Sequence, residues 1–266
     1  MAELNGLAAL VTGGVHGLGR RVALQLAEDG ARVAVNYRTS REDAERFCQE
    51  LSERGFEAIA LRGDLSEASA ARALVEAVER RWGRLDLLIL AAGPFLTRRE
   101  PIFVEDEDAR GWTAMSAGNV TGSVAAIARA LPGMRARRFG RIVTFGFDSV
   151  GDLPGWPGRA AYAAAKSALW SYTRTLALEE CWSGITANMV APGNITARFK
   201  EASIEDARRS PTAGHPAPVG RPGTGEDVAR VVRFLVDPDS DFVTGSVIYV
   251  TGGESVVRDG RLPDGV

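Results

Sequence analysis

Residues 7–19 read Leu7-Ala8-Ala9-Leu10-Val11-Thr12-Gly13-Gly14-Val15-His16-Gly17-Leu18-Gly19. An unbroken apolar run of this length predicts a strand buried on both faces, which is how strands of a parallel sheet read. The glycines that follow let the chain turn tightly. They also let backbone N–H groups and the amino end of the next helix approach a phosphate. The helix continues through Arg20-Arg21-Val22-Ala23-Leu24-Gln25-Leu26-Ala27, so the loop TGxxxGxG lies between a strand and a helix close to the amino terminus. A dinucleotide-binding α/β fold requires that placement.

Working outward, the same alternation repeats. Gly30 ends the first helix, and Arg32 to Asn36 is a second strand. A helix spans about Arg41 to Arg54 before a third strand, Ala58 to Leu61. Ser66 is expected to cap a helix reaching Trp82, and Leu85 to Ala91 is a fourth, wholly apolar strand. Further on come a long helix from about Ala117 to Arg137, a strand Arg141 to Phe145 and an Ala-rich helix from about Ala160 to Cys181. A strand Thr186 to Ala191, a helix Glu226 to Leu235 and a strand Ser246 to Val250 complete the pattern. Strand–helix–strand units of this size give right-handed crossovers and a doubly wound sheet. No repeat, low-complexity tract or dividing linker appears. Residues 1–266 therefore read as one domain, with Pro211 to Gly225 as an irregular segment over the site.

Composition narrows the function classes. A net charge of -2 gives no basic field for nucleic acid. The longest apolar run, Leu87 to Ala92 and past Gly93-Pro94 to Leu96, is about half of a membrane span. Met1-Ala2-Glu3-Leu4-Asn5 has no positive region of the kind that opens a signal peptide. Cys48 and Cys181 are too few for a disulfide framework or a Cys-based metal site, and His16 and His215 are the only histidines, so no metal centre is expected. The chain reads as a cytoplasmic enzyme. The 30 glycines are well above the usual ~7%. Of 32 basic side chains only Lys166 and Lys200 are lysine, which suggests a task for Lys166 that arginine cannot perform.

At the end of the second strand stands Asn36-Tyr37-Arg38-Thr39-Ser40. An NAD site places a carboxylate there for the ribose diol. Here Tyr37 takes that place, and a cation followed by two hydroxyls suits a 2′-phosphate, so NADP(H) is expected. Asp64-Leu65 is placed to contact adenine, although an Asp before a helix also serves as a cap. Tyr162-Ala163-Ala164-Ala165-Lys166 puts a phenol and an ammonium one helical turn apart. A nearby cation favours the phenolate and makes the tyrosine a usable acid/base for a carbonyl or alcohol. Such a pair also arises from ordinary packing. Ser149 lies thirteen residues upstream, beyond the fifth strand, where its hydroxyl can bond a substrate oxygen. Asn119 lies in the preceding helix and can hold a water beside Lys166.

With TGGVHGLG at 12–19, Asp64-Leu65, Ala91-Ala92-Gly93, Asn119, Ser149, YAAAK at 162–166, Pro192-Gly193 and the closing Val250-Thr251-Gly252-Gly253, the chain resembles the short-chain dehydrogenase/reductase family over nearly its whole length. The group it is most similar to contains 3-oxoacyl-acyl-carrier-protein reductases and glucose-dehydrogenase-like enzymes. The resemblance implies a Rossmann fold with a seven-stranded parallel sheet of order 3-2-1-4-5-6-7, and commonly a homotetramer. It implies a catalytic tetrad of Asn119, Ser149, Tyr162 and Lys166. In that tetrad Tyr162 donates the proton and Ser149 polarises the carbonyl. Lys166 holds the nicotinamide ribose and lowers the Tyr162 pKa, and Asn119 completes a proton relay. It places Gly13, His16, Gly17, Leu18, Gly19, Tyr37, Arg38, Thr39, Ser40, Asp64, Leu65, Ala91, Ala92, Gly93, Tyr162, Lys166, Pro192, Gly193 and Ile195 around the cofactor.

The chain departs from the family pattern at Leu90-Ala91-Ala92-Gly93, where Asn-Asn-Ala-Gly is usual, and at Ala197, where a threonine is usual. Gly146-Phe147-Asp148-Ser149 is two residues longer than usual, and Asp148 can alter the orientation of Ser149. The resemblance implies an NADP(H)-dependent carbonyl reductase, with a 3-oxoacyl thioester as leading substrate. The alternatives are a sugar or small-alcohol dehydrogenase, a pteridine-type reductase and a non-catalytic nucleotide-binding regulatory protein. A loop of about residues 195–220 would discriminate among substrates. Its Lys200 and Arg208-Arg209 can meet phosphopantetheine or an acidic carrier, or simply form a solvated face. Trp156, between Pro154 and Pro157, can wall an apolar pocket or pack as a surface corner.

Overall fold

The apolar runs become parallel strands, joined by helices whose periodic faces cover them. The structure, a computed structural model, describes residues 3–93, 109–210 and 217–254. β1 (Ala8–Thr12), α1 (Gly17–Glu28), β2 (Arg32–Tyr37), α2 (Arg41–Glu53), β3 (Ala58–Arg62), α3 (Ala68–Trp82) and β4 (Leu87–Leu90) alternate as the periodicity predicts. Next come α4 (Ala109–Ser116), a π-helical turn (Ala117–Thr121) and α5 (Gly122–Arg137), which follow one another without a break. They lead to β5 (Gly140–Phe145), α6 (Ala160–Glu180), β6 (Ile185–Pro192), α7 (Ile204–Arg209), α8 (Gly225–Val236) and β7 (Val247–Val250).

All pairings are parallel, and the order is β3-β2-β1-β4-β5-β6-β7, as expected. β1 lies between β2 and β4, so successive crossovers leave it in opposite directions and place helices on both faces. Strand alternation divides the core accordingly. Ala9, Val11, Val33, Val35, Leu87 and Ile89 face α1, α2 and α8 through Val22, Leu26, Phe47, Leu51, Val228 and Val232. Ala8, Leu10, Leu88, Leu90, Ile142 and Ala187 face α3, α5 and α6 through Leu74, Val78, Ile127, Ala130, Met134 and Leu176. Each large apolar side chain buried there contributes about 1.5–3 kcal/mol of transfer free energy, and this burial fixes the register that aligns the strand ends.

Local chemistry corrects three boundaries. Ser66 does not cap α3. Its Oγ and N–H both donate to Asp64 Oδ1, at 2.8 and 2.9 Å, because a carboxylate two residues back is the stronger local acceptor. The helix starts at Ala68 with Glu67 in the cap position. The fourth strand stops at Leu90 rather than Ala91, and the continuation of its apolar run through Pro94 to Leu96 lies outside the described residues. Within the segment read as a loop over 195–220, α7 is a real helix. It starts in a capping box in which Ser203 Oγ accepts from the Asp206 N–H at 3.1 Å, and Asp206 accepts from the Ser203 N–H at 3.0 Å. Thr224 and Asp227 form the same device at the start of α8. Positions 211–216 of the irregular segment lie outside the described residues, whereas Val219 donates from its N–H to Gly252 O at 3.0 Å. No helix among the described residues is long and apolar enough to cross a membrane.

Candidate active site

The carboxyl ends of β1, β4 and β5 open on one edge of the sheet. An open α/β sheet binds ligands at that edge, where the strand order reverses. The glycine loop is built by close approach. Gly13 has φ +61° and a Cβ there would sit 3.1 Å from Ala92 Cα, while a methyl group on Gly19 would collide with the Gly13 carbonyl. Thr12 ties this loop to the segment after β4, its Oγ1 accepting from the Ala92 N–H at 3.0 Å. That hydroxyl braces a stretch that lacks the usual amide side chains. Leu18 packs into the core beneath, and His16 faces out, its Nε2 3.0 Å from Asp43 Oδ2. The Gly17 N–H, the first of α1, donates to Glu201 Oε1 at 2.7 Å. Lys200 and Glu201 thus lie over the loop, while Arg209 pairs with Glu205 on the exposed face of α7. A narrow glycine cradle at a helix amino end fits the phosphates of a nicotinamide dinucleotide.

A second feature lies at the ends of β2 and β3. Arg38, Thr39, Arg62, Gly63 and Asp64 line a cleft of about 540 Å³. Tyr37, half-buried, pairs with Arg62 across the two strands, and Ser40 occupies the cap position of α2 without a side-chain cap bond. Hydrogen bonds from the Ser66 backbone and hydroxyl hold the Asp64 carboxyl below its usual range, with Arg38 adding to the effect. Leu65 is buried, and its carbonyl lies so close to Gly122 that any side chain there would clash. Sequence patterns did not single out Arg62.

The third feature surrounds Gly93. The π turn widens the helix at Asn119, which is wholly buried and donates from Nδ2 to Met115 O at 3.0 Å. A side chain on Gly93 would collide with Asn119 Oδ1, and its Cβ would sit 3.4 Å from Lys166 Nζ. Asn119, Lys166 and Gly93 are therefore together. Lys166 Nζ is 5.8 Å from the centroid of the Tyr162 ring, one turn earlier on α6. Both side chains are buried, and burial alone pushes the Lys166 ammonium down to about 8 and Tyr162 above its ordinary value. Burial thus acts against ionisation at both groups, raising the phenol and lowering the ammonium.

Ser149 follows β5 with φ +63°, buried, and its Oγ donates to Asp148 Oδ1 at 3.0 Å. The neighbouring carboxylate does orient it. Phe147 and Trp156 flank Tyr162 with ring centroids 5.9 and 6.1 Å away, and 5.2 Å from each other. Trp156 is thus part of an aromatic wall beside the phenol, and Phe147, which the sequence reading passed over, completes it. Pro192 ends β6, the Gly193 N–H donates to Val250 O at 3.0 Å, and Ile195 is buried against Gly223. Thr196 caps the short 3-10 turn that contains Ala197, its carbonyl accepting from the Phe199 N–H at 2.9 Å. Among the described residues no cluster of His, Cys, Asp and Glu could hold a metal.

Comparison with known proteins agrees with the fold. A family model described as Enoyl-(Acyl carrier protein) reductase matches residues 13–255. YtkK of Bacillus subtilis (strain 168), provisionally named an oxidoreductase, is 41% identical over 94% of this chain and 97% of its own. The 3-oxoacyl-acyl-carrier-protein reductase FabG of Staphylococcus aureus (strain N315) is 35% identical over 92% of this chain and 96% of its own. A solved structure from Bacillus thuringiensis, provisionally described as a 3-oxoacyl-reductase, superposes with a TM-score of 0.87 at 36% identity, covering 94% of this chain and 99% of that one. Strand order, glycine cradle and matched length together establish that the chain belongs to the short-chain dehydrogenase/reductase family and is an oxidoreductase of that family.

Proposed function

We propose that this oxidoreductase is NADP(H)-dependent and reduces a carbonyl to an alcohol, with a 3-oxoacyl thioester as substrate. The observation that carries the chemistry is the buried group of Asn119 and Lys166 meeting at Gly93, with Tyr162 one turn from Lys166. The FabG relative and the 3-oxoacyl-reductase neighbour support the substrate. Arg38 in its cleft supports the 2′-phosphate.

On this reading Gly13, Gly17 and Gly19, with His16 and Leu18 beside them, hold the pyrophosphate. Tyr37, Arg38, Thr39 and Ser40 hold the adenosine ribose, and Asp64 and Leu65 flank the adenine. Ala91, Ala92, Gly93, Pro192, Gly193 and Ile195 enclose the nicotinamide half. Bound NADPH supplies the reducing equivalent to the carbonyl carbon. Tyr162 gives its proton to the carbonyl oxygen, and Lys166 steadies the charge left on the phenol. Asn119, clamped by its bond to Met115, fixes the path by which that proton is replaced. The Ser149 hydroxyl turns from Asp148 to the carbonyl oxygen. Phe147 and Trp156 present an apolar wall to an acyl chain. The Asp148 carboxylate beside Ser149 favours a second reading, a sugar or small alcohol whose additional hydroxyl it accepts.

The reading takes the chain as one dinucleotide-binding domain with a substrate loop over about 195–220. It also takes it as a cytoplasmic homotetramer. Leu178, Trp182 and Phe242, large apolar side chains at the surface, support self-association.

Initial rates of NADPH and NADH oxidation with an acetoacetyl thioester, for wild type and Tyr162→Phe, test the function. NADPH-preferring turnover that disappears in the variant is expected. Tight NADPH binding with no turnover would sink the thioester, and equal rates in both proteins would sink the role of Tyr162.

A further inference from the structure

We infer that Arg62 is a second specificity-determining residue for the 2′-phosphate, closing on it from the strand next to Arg38. The inference rests on the NADP(H) reading above and adds a residue that no sequence motif marks.

The two guanidinium groups arrive by topology. Arg62 is the last residue of β3 and lies in register with Tyr37, the last residue of β2, and Arg38 is the next residue along. Neighbouring strands lie about 4.8 Å apart, so the two side chains leave adjacent strand ends and line the same cleft with Thr39, Gly63 and Asp64. The floor between them is fixed. The Gly63 N–H donates to Tyr37 O at 2.9 Å, and the Asn36 side chain donates to Gly63 O at 3.0 Å.

Charge then selects the ligand. Some arginines of the chain find carboxylates, such as Arg20 with Glu50, Arg54 with Glu28 and Arg221 with Asp227, and others find backbone carbonyls, such as Arg138 with Trp182 O and Arg141 with Pro238 O. Neither Arg38 nor Arg62 makes an ion pair among the described residues, although they line one cleft. The carboxylate on the rim, Asp64, is already engaged by two hydrogen bonds from Ser66. Arg38 and Arg62 bring two positive charges to a cleft that holds one carboxylate, Asp64, and the remaining positive charge attracts a dianion there. A phosphomonoester is the matching group, because each planar guanidinium can bond two of its oxygens. Thr39 supplies a neutral donor at the same place.

Binding of 2′,5′-ADP and 5′-AMP, measured by titration calorimetry, isolates this half of the cofactor from turnover. In wild type, 2′,5′-ADP is expected to bind much more tightly than 5′-AMP. Arg62→Ala should weaken 2′,5′-ADP by at least about tenfold, the scale of a lost charge-assisted bond, and change 5′-AMP less than about twofold. Arg62→Glu should lose 2′,5′-ADP further, and the exposed position keeps both variants folded, as thermal unfolding would verify. If Arg38→Ala loses 2′,5′-ADP selectively while Arg62→Ala does not, the inference fails and the NADP(H) reading stands. Equal losses of both ligands in Arg62→Ala would also overturn it. Equal affinities of the two ligands in wild type would overturn the NADP(H) reading and this inference with it.

Discussion

The Gly17 N–H donates to the Glu201 carboxylate at 2.7 Å, a bond joining residues 184 apart in sequence. Gly17 is the first residue of α1, where the helix dipole and free amides favour an anion. Glu201 is therefore a carboxylate standing where a dinucleotide phosphate would compete for the same donor. Arg20 Nε, 3.5 Å from Glu201 Oε2, adds to its hold.

Glu201→Gln should strengthen dinucleotide binding. The amide side chain still reaches the Gly17 N–H but carries no charge to oppose the pyrophosphate. The dissociation constant for NADPH, read by quenching of protein fluorescence, should fall by roughly threefold to tenfold. A rise would mean that Glu201 stays on Gly17 when the cofactor is bound.

Gly93 touches chemistry that its lack of a side chain makes possible. Gly93→Ala would drive a methyl group into Asn119 Oδ1, and Asn119 is locked in the π turn by its bond to Met115. Reductase kcat should drop by about tenfold or more, because misplacing a positioned group by an ångström has that effect. Gly93 itself is exposed, so the melting temperature should move little. A large loss of stability with normal kcat in the folded fraction would contradict this account.

How much of this was legible beforehand follows from the range of each interaction. Strands β1, β4 and β5 are entirely buried, and the apolar runs of β1 and β4 with the strand–helix alternation announce a doubly wound sheet, whereas its strand order is implied only by the family resemblance. Tyr162 and Lys166 are one turn apart on a single helix, so spacing alone pairs them. The π turn at Asn119 was not legible, because it changes the helix by one residue's register without changing the composition. Arg62 looks like any other arginine until β3 is set beside β2. Glu201 and Lys200 reach the glycine loop through a tertiary fold of the segment after β6, which leaves no local pattern. Asp64 was read for adenine or as a cap, and its engagement with Ser66 depends on a turn that only coordinates reveal.

Asp86, at the edge of the sheet opposite the site, should matter for stability alone. It is wholly buried and accepts from the Ala8 N–H at 2.9 Å and Arg84 Nε at 2.7 Å, with Arg137 Nε 3.3 Å away. It ties β1, β4 and α5 together at their bases. Asp86→Ala should destabilise the fold by about 3 kcal/mol, the low end for a broken buried pair, because both arginines still reach solvent. In urea the midpoint should fall with an unchanged slope. KM for NADPH in the folded protein should stay within about twofold, and a large change there would refute a purely structural role.

Lys166 makes stability depend on pH in a direction opposite to that of an ion-paired lysine. Folding lowers its pKa from 10.5 to about 8 through burial, so the unfolded chain holds the proton more tightly. Above about pH 10.5 the group is neutral in both states and its ionisation does not affect folding. As pH falls toward 8, the unfolded state gains a proton that the folded state resists, and stability is lost. Below 8 the full cost remains, on the order of 3 kcal/mol at one pKa unit per 1.36 kcal/mol. Lys166→Met keeps the length of the side chain without the charge. It should therefore melt higher than wild type at pH 7, with the gap closing as the pH approaches 10.5, while reductase activity is lost. Differential scanning calorimetry of both proteins across that range measures the gap, and one that stays constant with pH would show that Lys166 does not carry the cost.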